Sequence, residues 1–139
     1  MSTQPIGFHL AHVQKAVGRA FNDALAEAGG STPVWLVLLS IVQGKPGSQL
    51  DLARAVGIEG PTLTRHLDGL EEAGLVVRRR DPDDRRAIRV ELTEAGERLF
   101  AELRDAAIAF NGKLTAGFDP VELDQLHALL DRLAENAAS

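Results

Sequence analysis

Residues 60–92 read GPTLTRHLDGLEEAGLVVRRRDPDDRRAIRVEL, and the periodicity changes once within them. Gly60-Pro61 opens a helix, since proline is tolerated in the first turn. Leu63, Leu67 and Leu70 follow at spacings of four and three, which places them on one buried stripe. Gly74 closes the helix. LVVRRR is then short and β-branched, DPDDR has the composition of a turn, and AIRVEL alternates apolar with polar. A helix followed directly by a β-hairpin is the expectation.

Upstream, Gly47-Ser48 opens a second short helix, SQLDLARAV, which ends at Gly57. Ser48 can cap it, and Asp51 three residues on is a capping-box partner weaker than Glu or Gln. Two short helices joined by a tight link, the second with a polar first turn, form a helix-turn-helix. With the hairpin behind it, this is a winged helix. Earlier still, Thr32-Pro33 offers an N-cap hydroxyl before a proline, opening TPVWLVLLSIVQG. That segment is apolar nearly all round, as a central buried helix would be.

Long amphipathic helices flank this lobe. The first, roughly residues 6–28, carries Leu10, Val13, Val17, Phe21 and Leu25. Another starts at Thr93 with a stripe of Leu99, Leu103, Ala106, Phe110 and Leu114. Asp119-Pro120-Val121-Glu122 is a capping box that opens the last, and Leu123, Leu126, Leu130 and Leu133 repeat there at heptad-like spacing. The fold class expected is mainly α with a small β-hairpin wing: one domain over 1–139. Residues 31–92 would be its winged helix-turn-helix and 1–30 with 93–139 a helical dimerisation region. The same helices could instead close a monomeric core.

The net charge is −5, which at first argues against a nucleic-acid partner. The charge is unevenly distributed. Residues 1–43 carry two basic and two acidic side chains, 44–92 nine of each, and 93–139 four basic against nine acidic. The deficit lies in the C-terminal third, while Arg78, Arg79, Arg80, Arg85, Arg86 and Arg89 crowd the hairpin. DNA binding needs a local positive footprint rather than a basic pI. The absence of cysteine removes disulfides and thiolate sites and fits a cytoplasmic location. The N-terminus lacks the pattern of a signal peptide, and the longest apolar run is too short for a bilayer. A glycine-rich phosphate loop, a nucleophile–base pair and a metalloprotease motif are all missing, so no enzyme, cofactor or metal is expected.

Three segments resemble the MarR family of regulators: TPVWLVLLSI, PTLTRHLDGLEEAGLVVRR and DPDDRRAIRVELTEAG. The likeness covers nearly the whole length in the same element order. In the third segment Asp84 and Arg86, two apart, precede Val90, Leu92 and Thr93. The one departure is Val90, where leucine is frequent. The resemblance implies a dimeric transcription regulator on pseudo-palindromic double-stranded DNA, commonly a repressor, released by a small and often anionic aromatic effector.

In such a protein the second helix of the pair enters the major groove by its first turn, where free N–H groups and the dipole also favour phosphate. Pro61, Thr62, Thr64, Arg65 and His66 form that turn. The fork of Arg65 suits guanine O6 and N7; the bland alternative is a surface pair with Asp68. Thr62 and Thr64 suit phosphate or a thymine methyl, and Ser48, Gln49 and His66 suit phosphate. The resemblance implies that Arg86 inserts into the minor groove, braced by Asp84, which could instead only shape the turn. Narrow A·T-rich grooves attract arginine. Arg85, Arg78 and Arg80 would contact phosphates, although strand alternation lets only some of them face DNA. His9, His12, Trp35 and Phe100 are candidates for the effector pocket, with Trp35 more often a plain core residue. Two further readings stay open: a metal-responsive regulator of the same fold, and a protein-binding module that has lost DNA.

Overall fold

The computed structural model describes residues 4–43, 60–83 and 88–139. Among these residues the elements run α1 (Ile6–Glu27), α2 (Thr32–Gln43), α3 (Gly60–Glu72), β1 (Val76–Arg80), β2 (Ile88–Leu92), α4 (Glu94–Leu114) and α5 (Pro120–Ala138). The two strands form one antiparallel hairpin, with Val76 opposite Leu92 and Arg80 opposite Ile88. Mainly helical elements with a hairpin wing are the expected class. The chain divides into two units, residues 1–107 and 108–139.

The first unit holds the core. Leu25 of α1, Val37 and Leu38 of α2, Leu63, Leu67 and Leu70 of α3, Val76 and Val90 of the hairpin, and Phe100 and Leu103 of α4 form one buried cluster. Burying a side chain of this size is worth about 1.5–3 kcal/mol. The leucine stripe expected in residues 60–72 is the face that packs. In α2 the burial is one-sided: Val37 and Leu38 are inaccessible, while Leu36 and Val42 face outward. An all-apolar segment thus presents only part of its circumference to this unit's core.

The cap of α2 corrects the sequence reading by one residue. Ser31 Oγ, not Thr32, accepts from the Val34 N–H at 3.2 Å, and the Ser31 carbonyl accepts from Trp35 at 2.9 Å. Thr32 is already helical, with its N–H donating to Asn22 Oδ1 at 2.9 Å. Pro33 then stands second in the helix, where a missing N–H again costs nothing.

In the second unit Asp119 Oδ1 accepts from the Glu122 N–H at 2.8 Å, and Glu122 Oε1 accepts from the Asp119 N–H at 3.0 Å. This is the expected capping box. No residue of α5 is buried. In the first unit the early turns of α1 are likewise bare, with Ile6, Phe8, Leu10 and Val13 all exposed. Among the described residues no single helix is long and apolar enough to cross a membrane.

Candidate nucleic-acid interface

The three leucines of α3 anchor one face of the helix and turn the other outward. Pro61 and Arg65 are exposed, and Thr62, Thr64 and His66 are half-buried. The Thr64 hydroxyl donates to the Gly60 carbonyl at 3.0 Å, so its proton is engaged within the helix.

The helix ends in a tight reversal that sets the position of the wing. Gly74 has φ +77°, a conformation glycine adopts without a Cβ clash. The Leu75 N–H donates to the Leu70 carbonyl at 2.9 Å and the Gly74 N–H to Glu71 at 3.0 Å. This is the paired bonding of a Schellman cap. Thr93, at the far end of the wing, fastens this turn. Its hydroxyl donates to the Gly74 carbonyl at 2.6 Å and accepts from the Gly96 N–H at 3.1 Å, capping α4. Its own N–H donates to the Leu75 carbonyl at 3.1 Å. Gly96 permits the approach, because a Cβ there would lie 2.0 Å from the Leu75 oxygen. The LTEAG segment therefore ties together the end of α3, the base of the hairpin and the start of α4.

A charge clamp adds a second tie. Arg78 Nη2 donates to Asp68 Oδ1 and, at 3.0 Å, to Glu71 Oε1, while the Arg78 backbone N–H donates to Glu71 Oε2 at 3.2 Å. These donations hold the Glu71 carboxyl below its ordinary range and push the Arg78 guanidinium further up. The other strand face carries Arg79 opposite Arg89, like charges that would repel if unpaired. Each has an acid: Glu91 lies 3.6 Å from Arg79, and Asp81 lies 3.3 Å from Arg89. Asp81 also accepts from the Asp83 N–H at 2.9 Å, so it shapes the start of the wing tip.

Of the expected DNA contacts, Pro61, Thr62, Thr64, Arg65 and His66 share the first turns of α3. The expected alternative for Arg65, a pair with Asp68, is not formed: Asp68 is taken by Arg78, and Arg65 makes no ion pair with a described residue. Arg80 likewise has no ion pair among the described residues. Arg78, expected at phosphate, has its fork turned onto α3, bound to Asp68 and Glu71. Ser48, Gln49, Asp84, Arg85 and Arg86 lie outside the described residues. Trp35 and Phe100 stack with centroids 5.5 Å apart, both packed into the core cluster. His9 and His12 are exposed on α1. Sequence reading missed Asp68, Glu71, Asp81 and Gly96 as framework residues. The one available signal was the pair of acids three apart on a helix beside a triple-arginine strand.

Residues 31–88 match the family model of the MarR family. Transcriptional regulator PA3341 is 35% identical over 96% of this chain and 98% of its own, with a TM-score of 0.79. A MarR-family transcriptional regulator from Rhodococcus sp. RHA1 is 31% identical over 96% of each chain, with a TM-score of 0.78. CouR from Rhodococcus jostii RHA1, solved with p-coumaroyl-CoA, is 32% identical over 95% of this chain and 93% of its own, with a TM-score of 0.78. The transcriptional repressor CouR on a 23-mer DNA duplex gives 28% identity over 94% and 92%, and a TM-score of 0.83. The chain belongs to the MarR family of transcriptional regulators, and its fold is the winged helix of those structures.

Proposed function

We propose that this protein is a homodimeric, sequence-specific repressor that binds a pseudo-palindromic operator and leaves it when a small molecule binds. The observation that carries this reading is the exposed Arg65, which has no ion pair among the described residues, on a helix held by three buried leucines and latched to a basic hairpin. A helix end anchored by its buried face and presenting an exposed arginine fork suits the acceptor edge of guanine.

In this reading residues 31–92 form the DNA-reading lobe. Pro61, Thr62, Thr64 and Arg65 face the major groove, and Ser48, Gln49, His66, Arg80 and Arg85 contact phosphate. Arg86, braced by Asp84, enters the minor groove. Residues 1–30 and 93–139 form the dimer layer, in keeping with the bare apolar side chains at the start of α1 and along α5. Two copies place two reading helices on successive turns of duplex. The operator places the protein in the cytoplasm. The effector is an anionic aromatic molecule, a class that includes the p-coumaroyl-CoA bound by the relative CouR.

The test is anisotropy of the purified protein against fluorescent fragments of its own upstream region, titrated with salt. One dimer per pseudo-palindrome, weakening steeply as salt rises, is the expected result. A protein that binds no fragment more tightly than random duplex would refute the reading.

A further inference from the structure

Arg65 and Asp68 are three apart on α3, a spacing at which an arginine and an aspartate readily pair across a helix surface. They are not paired. Asp68 Oδ1 is bound by Arg78 Nη2 from the neighbouring strand, and Arg65 has no ion pair with a described residue. Arg78 competes well for Asp68 for two reasons. Its backbone is fixed in the hairpin opposite Val90, and its N–H and Nη2 are both held by Glu71, at 3.2 and 3.0 Å. Arg65 is an exposed chain that would lose rotamer freedom on pairing. The Arg78 side chain is 20% exposed and that of Asp68 57%, so the contact is solvent-accessible on the helix that carries Arg65.

We propose that Arg78 is a positioning residue for base reading: by holding Asp68 it keeps that carboxylate off Arg65 and leaves the Arg65 fork available to a base edge. Arg78 then acts through Asp68 rather than by touching phosphate. It also neutralises an acid on a helix that approaches a polyanion. The inference rests on the reading of α3 as the DNA-facing helix. Glu71 serves as the anchor that keeps Arg78 pointed at Asp68.

The experiment is a mutant cycle on the full chain, read by anisotropy on the operator duplex and its single-base variants, with thermal melts to verify folding. Arg78→Ala is expected to weaken binding about tenfold, near the low end of one bidentate arginine–guanine contact. The lost discrimination should fall at the base pair whose preference Arg65→Ala removes. Adding Asp68→Asn to Arg78→Ala should restore both affinity and discrimination, by a larger factor than Asp68→Asn gains in the wild type. Adding Arg78→Ala to Arg65→Ala should cost nothing further. Arg78→Gln, which keeps a shorter polar side chain without charge, should repeat the pattern if the alanine variant is poorly folded. An Arg78 penalty of the same size whatever stands at 65 and 68 would overturn the proposal and make Arg78 a phosphate contact or a simple brace. Wild-type protein that binds no duplex would instead overturn the DNA reading beneath it.

Discussion

In α3, Leu63, Leu67 and Leu70 are at most 6% exposed, while in α5 Leu126, Leu129 and Leu130 are 45%, 53% and 37% exposed. Both helices space their leucines three and four apart, and both are capped by residues read directly from the chain. The difference is in what lies over the stripe. In α3 it meets α1, α2, the hairpin and α4 within one cluster. In α5 nothing within its own unit buries it. Periodicity specifies a face; the partner for that face must come from elsewhere in the chain or from another copy of it.

Removing residues 119–139 is the strongest way to break this contrast. On the proposed dimeric reading, the truncated protein should sediment as a monomer and lose about a hundredfold or more in operator affinity, because two linked half-site contacts would become one. Its near-UV circular dichroism should persist, since the core of residues 1–107 is untouched. A truncated protein that remains dimeric would show that α5 is not the seam.

Leu67→Ala acts on the other side of the comparison. It should lower stability by about 2–5 kcal/mol in denaturant melts, as buried leucine truncations do. Leu129→Ala should change the intrinsic stability of the monomer by less than about 0.5 kcal/mol, as exposed sites do. Equal losses at the two sites, both measured in the full-length chain, would erase the distinction. Gly96→Ala should cost about 3 kcal/mol, because its Cβ has no room beside the Leu75 carbonyl and either α4 or the wing base must shift. A variant as stable as the wild type would mean the latch is loose.

The smallest effect concerns the clamp. Glu71 has a folded-state pKa below its ordinary 4.5, mainly because Arg78 donates to it. Its stabilisation is therefore complete above pH 4.5 and lost as pH falls through the lower folded value. Melting temperatures of wild type and Glu71→Gln should differ at neutral pH and converge in acid, with salt narrowing the gap because the pair is exposed. A gap that widens in acid would contradict the direction of this shift.

Much of this protein is legible one residue at a time. Helix α3 was recognisable from Gly60-Pro61, the leucine stripe and Gly74, because caps and periodicity are local properties of the chain. The hairpin was recognisable from β-branched residues around DPDD, and the opening of α5 from Asp119 and Glu122. Arg65 stood out for its position in a polar first turn.

The same sequence was silent where contacts join distant residues. Thr93 reads as the start of a helix, yet only the fold brings its hydroxyl to Gly74, nineteen residues away. Gly96 looks like an ordinary helical glycine until the Leu75 carbonyl is placed against it. Arg78 looks like one of three interchangeable basic residues. The hairpin register turns it toward α3 with Val76 and Val90, and turns Arg79 away with Arg89 and Glu91. Composition and period thus determined the class of the described elements and their order. Which arginines pair with acids among the described residues was decided by the tertiary structure, because a charge is neutralised by whatever the fold brings within a few ångströms of it.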